Sequence, residues 1–170
     1  MHSFESLRQA AVDAIRLGAF AAYKTIDKKS LFGFAICTDD ELGSVFHVYA
    51  TREWVSEREA EYPEIGFISV EWEQGFDDAP FLALSSVFRK LAEADQHLPD
   101  REYENNRILR FRVLVEAMRV CRDEGLFDAN TLLSVGSTDP DDLMAKLACE
   151  AARHLNIPAI AEAYRQTMEC

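Results

Sequence analysis

The side chains with the most chemical potential in this sequence are carboxylates. Glu71 and Glu73 lie two residues apart in an alternating stretch, a spacing that on a strand puts both on one face with Trp72 opposite. Two glutamates so placed repel, and the repulsion raises one pKa, which is how an acid catalyst is prepared. With His47 they are the material for a hydrolase-like site, the enzyme reading of the chain. More often such pairs are simply solvated. His2, His47, His97 and His154 are at least 45 residues apart, and neither H-E-x-x-H nor C-x-x-C occurs, so no metal site is expected. His47 stands between Phe46 and Val48 and reads as a structural histidine. P-loop, G-x-G-x-x-G and G-x-S-x-G patterns are absent, and seven scattered glycines do not build a phosphate cradle, so no cofactor is expected. Asp39-Asp40-Glu41 and Asp139-Pro140-Asp141-Asp142 resemble calcium-binding runs only superficially. The first lacks the alternation of an EF-hand loop, and the second reads as a helix start with an Asp cap and proline at the first position.

Charge is the stronger signal. The chain has 30 acidic and 18 basic residues and a net charge of −12. The 40 residues from Asp39 to Asp78 hold 12 acids against Arg52 and Arg58, a local charge of −10. Such a surface repels a phosphate backbone, which disfavours nucleic acid as a direct partner. It suits a basic protein, since opposed potentials steer encounter and suppress wrong partners. The partner-binding candidates are Asp39, Asp40, Glu41, Glu53, Trp54, Glu57, Asp77 and Asp78. Trp54 or a loop aromatic would anchor inside the charged rim, while Trp72, ending an apolar run, reads as core. By contrast, Arg101 to Arg122 carries six arginines and three glutamates. Arg112, Glu116, Arg119 and Asp123 share one helical face there and read as a solvated row of ion pairs.

These residues need elements to position them. Phe4 to Ile26 has apolar residues at helical spacing, with Ser3 as cap. Leu31 to Thr38 and Ser44 to Ala50 read as a strand pair around the turn Asp39 to Gly43. A short helix is expected from Thr51 to Glu61, and a third strand from Gly66 to Trp72. Helices follow over Phe81 to Gln96, led by Pro80, and over Glu102 to Glu124, closed by Gly125. A fourth strand is expected over Thr131 to Ser137. A helix then runs from the Asp139 cap to Leu155, and Pro158 opens a final one. The expectation is α+β: a single domain, residues 1–170, with a small antiparallel sheet of about four strands packed against several helices. A length of 170 residues and 48% hydrophobic content suffice for a core that needs no staples. Cys37, Cys121, Cys149 and Cys170 are read as reduced thiols of a cytoplasmic protein. The first ten residues are not a secretory signal, and no stretch reaches the roughly 20 apolar residues of a membrane span.

The order of segments resembles a bacterial family catalogued as domain of unknown function 4303. The resemblance is carried by the apolar strand and turn from Leu31 to Glu41, by Thr51-Arg52-Glu53, and by Glu71-Trp72. It continues with Glu124-Gly125-Leu126-Phe127, the strand and helix start from Ser134 to Asp139, and Leu155-Asn156. It spans about residues 5 to 157, departs at Arg52, where the pattern favours an acid, and leaves out the last helix, 158–170. The resemblance brings no established enzymatic activity with it. It implies an association with toxin–immunity neighbourhoods, where small acidic cytoplasmic proteins bind and block a toxin domain.

The expected function is therefore an immunity protein that occludes a cognate toxin, a basic one such as a nuclease, through the acidic segment. The alternatives are the Glu71, Glu73 and His47 hydrolase and a structural domain that dimerises through Ala159 to Met168. Oligomeric state is not readable from the sequence.

Overall fold

Leu31–Cys37 is apolar at nearly every position, which suits a strand covered on both faces rather than one half exposed to water. A computed structural model of the chain describes residues 3–72, 75–168 and 170. In it this segment is the central strand of the sheet. The elements are α1 (Phe4–Ala22), β1 (Leu31–Thr38), β2 (Val45–Thr51), α2 (Arg52–Arg58), α3 (Leu82–Asp95), α4 (Asp100–Asp123), β3 (Leu132–Ser137), α5 (Asp142–Leu155) and α6 (Pro158–Thr167). The fold is α+β.

The sheet corrects the expected one twice. It has three strands among the described residues, in the order β2-β1-β3, and it is mixed. β2 pairs antiparallel with β1, Ile36 facing His47, while β3 runs parallel to β1, Phe34 beside Leu133. The parallel pairing follows from the long excursion through α2, α3 and α4, which returns the chain to the end where β1 began. The expected strand from Gly66 to Trp72 does not form. Its backbone bonds locally instead, Phe67 N–H to Glu64 O at 2.8 Å and Trp72 N–H to Ser69 O at 3.1 Å, with a 3-10 turn over Ser69–Glu71. The aromatic residues that suggested a ladder are used as packing. Trp72 is buried against β1, where a methyl group on Gly33 would lie 2.3 Å from its ring, and its indole N–H donates to Ile65 O at 3.0 Å.

Alternation along β1 divides the core. Phe34 and Ile36 join α1, α3, α4 and α5 on one face. Ala35 and Cys37 join Trp54, Trp72 and Tyr164 on the other, under α2, the 59–72 segment and α6. The outer edge of β3 is met by one side chain. Asn156 accepts from Leu133 N–H and donates to Leu133 O, both at 2.8 Å, as a neighbouring strand would.

Local signals set most boundaries. Ser3 caps α1, accepting from Ser6 N–H at 3.1 Å, and Thr51 caps α2, accepting from Trp54 N–H at 3.2 Å. α1 stops at Ala22, short of Ile26, because Lys24 and Thr25 tighten to i−3 bonds. α5 begins two residues later than expected. Its cap is Asp141, which accepts from Met144 N–H at 2.8 Å, not Asp139, because Arg107 holds the other Asp141 oxygen at 2.8 Å. The four-thiol reading is also corrected. Cys149 and Cys170 form a disulfide that ties the chain end to α5, while Cys37 and Cys121 are free and buried. Burial pushes both free thiols up to about 12, so neither is a ready nucleophile.

Candidate functional site

The sequence candidates come to rest in three places. The first is the β1–β2 turn. Asp39 points inward, one carboxylate oxygen accepting from Gly43 N–H and the other from the Ser44 hydroxyl, each at 2.7 Å. Leu42 adopts a left-handed φ of 57° and is fully buried, so the turn is anchored by an apolar plug. Two arginines of α4 hold it from beneath. Arg107 donates to Asp40 O at 2.9 and 2.6 Å, and Arg110 donates to Glu41 O at 3.3 Å and pairs with buried Asp95. With their carbonyls engaged, the exposed side chains of Asp40 and Glu41 are left to solvent.

The second place is the outer edge of β2. Asp77 and His47 exchange backbone bonds at 3.3 and 3.2 Å, covering part of that edge. The Asp77 carboxylate accepts from Ala79 N–H at 2.9 Å, and Asp78 is exposed beside it. His47 itself is buried, its ring stacked 5.1 Å from Phe34, with Nδ1 unpartnered and only 2.9 Å from where a methyl on Gly18 would lie. Burial lowers its pKa against the opposing pull of Asp77. Glu71 is exposed on the 3-10 turn and not on a strand face, and Glu73 lies outside the described residues. The carboxylate–histidine arrangement of the enzyme reading is therefore not assembled by Glu71 and His47.

The third place is α2 and the segment behind it. Between them lies a groove of about 790 Å³. Trp54, Glu57, Arg58 and Glu61 line one side, and Tyr62, Glu64, Ile65, Ile68 and Glu71 complete it. Its shape depends on Trp72, which pins the returning segment to β1 and clamps Ile65 O. Trp54 is not the exposed anchor expected. It is 7% exposed, with the Arg58 guanidinium carbon 4.3 Å above its ring. Arg58 also donates to Trp54 O at 3.2 Å and to Glu57 at 3.3 Å. Tyr62, at 56% exposure, is the open aromatic of the groove. Glu53 is exposed on the first turn of α2.

These places are not one patch. Asp39–Glu41 follows the Thr38–Val45 end of the hairpin, while α2 starts at the Leu31–Thr51 end. At about 3.3 Å per residue they are roughly 20 Å apart. The acidic stretch that looks continuous in sequence is divided by the hairpin it encloses.

Residues 12–157 match the family described as Domain of unknown function (DUF4303). The chain belongs to the DUF4303 family. No curated protein and no solved structure matches it. The DUF4303 match begins inside α1 and ends one residue before α6, so it holds the whole sheet, both acidic ends of the hairpin and Asn156. The last helix lies beyond the match and is fixed to the DUF4303 region by Tyr164 and the disulfide. Among the described residues no group of three His, Cys, Asp or Glu is placed to hold a metal, and no helix is long and apolar enough to cross a membrane.

Two features of this DUF4303 chain escaped the sequence reading. Arg107 and Arg110 are buried and stand off the solvated row of Arg112, Glu116, Arg119 and Asp123. Their position was signalled by the i, i+3, i+4 series of α4, since Phe111, Leu114, Met118 and Cys121 continue the same face. Of the expected row of ion pairs, one forms among the described residues, Arg119 to Glu116 at 3.0 Å, while Arg112 and Asp123 are exposed. Glu61 and Glu64 read in the sequence only as charge, and Tyr62 carries no signal there, because nothing local announces that the chain after α2 folds back over it.

Proposed function

We propose that the chain is a non-enzymatic protein-binding domain, an immunity protein of the bacterial cytoplasm that binds a cognate basic toxin and blocks it sterically. The observation that carries the reading is the uncompensated charge of the 39–78 segment. Among the described residues its one ion pair joins Glu57 to Arg58, whereas eight acids elsewhere, Glu5, Asp13, Asp95, Glu116, Glu124, Asp128, Asp141 and Glu162, are matched by a basic side chain. Unmatched carboxylates around an aromatic-lined groove supply steering and a concave seat, the two components a complementary basic partner needs. Family membership supports the reading through the toxin–immunity association that the resemblance implies. Glu57 and the groove form the centre of the interface in this proposal. Asp40, Glu41, Glu53, Trp54 and Asp78 contribute according to their exposure, while Asp39 and Asp77 hold backbone in place.

The test is co-purification with the product of the adjacent gene across a salt series. A stoichiometric complex that weakens between about 50 and 500 mM salt, as screening removes the attraction, is the expected result. A tight complex indifferent to salt would move the interface to apolar surface, and no complex at all would remove the reading.

A further inference from the structure

We infer that the groove between α2 and the 59–71 segment receives an arginine side chain of the protein partner, its guanidinium taking the place over Trp54 that Arg58 holds in the free chain. This rests on the partner-binding reading above and names the group recognised.

The groove already displays the recognition in miniature. Arg58 lays its guanidinium 4.3 Å above the Trp54 ring while bonding Trp54 O and the Glu57 carboxylate. A planar cation is thus held by a π face, a carbonyl and a carboxylate together, a combination worth more to a guanidinium than to a compact ammonium. Arg58 uses little of what the groove offers. Four glutamates line it against this one arginine, and Glu61, Glu64 and Glu71 form no ion pair among the described residues. About 790 Å³ is room for an arginine and its neighbours in a peptide segment. Arg58 stands on the last turn of a seven-residue helix with its side chain 37% exposed, so it can yield the ring by swinging into water. Tyr62 offers a second, exposed aromatic face beside the seat.

The test is titration calorimetry with three probes: a Gly/Ser peptide bearing three arginines, the same peptide with lysines, and spermidine. The arginine peptide is expected to bind one to one and severalfold tighter than either ammonium probe. Combining Glu61→Gln, Glu64→Gln and Glu71→Gln should weaken it about tenfold, the sum of three partly screened charge pairs. Combining Glu93→Gln, Glu104→Gln and Glu150→Gln, equal in charge, exposed and outside the interface, should leave it unchanged. Arg58→Ala should strengthen it severalfold by vacating the ring. All variants alter exposed or half-exposed side chains, and their folding is checked by thermal melting. No binding, equal binding of the arginine and lysine probes, equal losses in the two triple variants, or weaker binding by Arg58→Ala would each overturn the inference. If the adjacent gene product binds the groove triple variant as it binds the parent, the groove is wrong and the binding reading stands. If it binds neither, the binding reading itself has failed.

Discussion

Two neighbouring aspartates show why residue type alone does not reveal role. Asp39 and Asp40 looked equivalent in the sequence, yet one builds the turn and the other faces water. Asp39→Ala removes the acceptor for Gly43 N–H and Ser44, and a loss of about 1–3 kcal/mol is expected in denaturant titration. Asp40→Ala should change stability by less than about 0.5 kcal/mol, because its backbone carbonyl, not its carboxylate, meets Arg107. Asp141 carries a pH signature. The hydrogen bond from Arg107 holds its carboxyl below the ordinary 3.8, so it contributes stability above that pH and loses it as the pH falls through the lower folded value. Arg107→Met should flatten this part of the acid limb in unfolding curves collected from pH 5 to about 2. His47 works in the same sense at higher pH. Burial lowers its folded pKa, so stability should decline as the pH falls below 6.5, and His47→Gln should remove that decline. The pairing of Arg107 with Asp141 and the stacking of His47 on Phe34 were not visible in the sequence, since they join residues far apart along the chain, whereas the Asp39 contacts stay within the turn.

At the scale of elements, short-range chemistry was legible and long-range packing was not. β1 was readable to the residue because a seven-residue apolar run closed by Thr38, between polar turns, has few other solutions. The caps Ser3 and Thr51 were readable because they act within three residues. Gly66 to Trp72 misled because Ile, Val, Phe and Trp suit a sheet surface whether they belong to the ladder or lie upon it. The contact between Gly33 and Trp72 decides that case, and it positions the groove. Gly33→Ala should displace the indole, cost about 1–3 kcal/mol and red-shift tryptophan emission. The disulfide was missed because Cys149 and Cys170 meet only once α6 folds back along α5. Reduction should raise amide exchange in α6 while leaving β1 and β3 protected, as expected of a terminal element held by one buried tyrosine and a covalent tie.

For the whole molecule, the sequence announced the quantity of charge and the fold supplied its geography. A net charge of −12, with −10 of it between residues 39 and 78, implies self-repulsion in the folded state. The melting temperature should rise as salt increases from about 10 to 300 mM, where the screening length falls below the spacing of these carboxylates. The hairpin separates that charge into a well-braced turn and a concave seat near α2, and the proposed partner recognition lies at the seat. The proposed neutralisation of a toxin can be read in a growth-rescue assay. The adjacent gene product is expressed in a susceptible host with the parent chain, with the groove triple variant, or alone. The expected result is arrest when the gene product is expressed alone, rescue by the parent chain and weakened rescue by the variant. Continued arrest with the parent chain present at equal or higher abundance would contradict it.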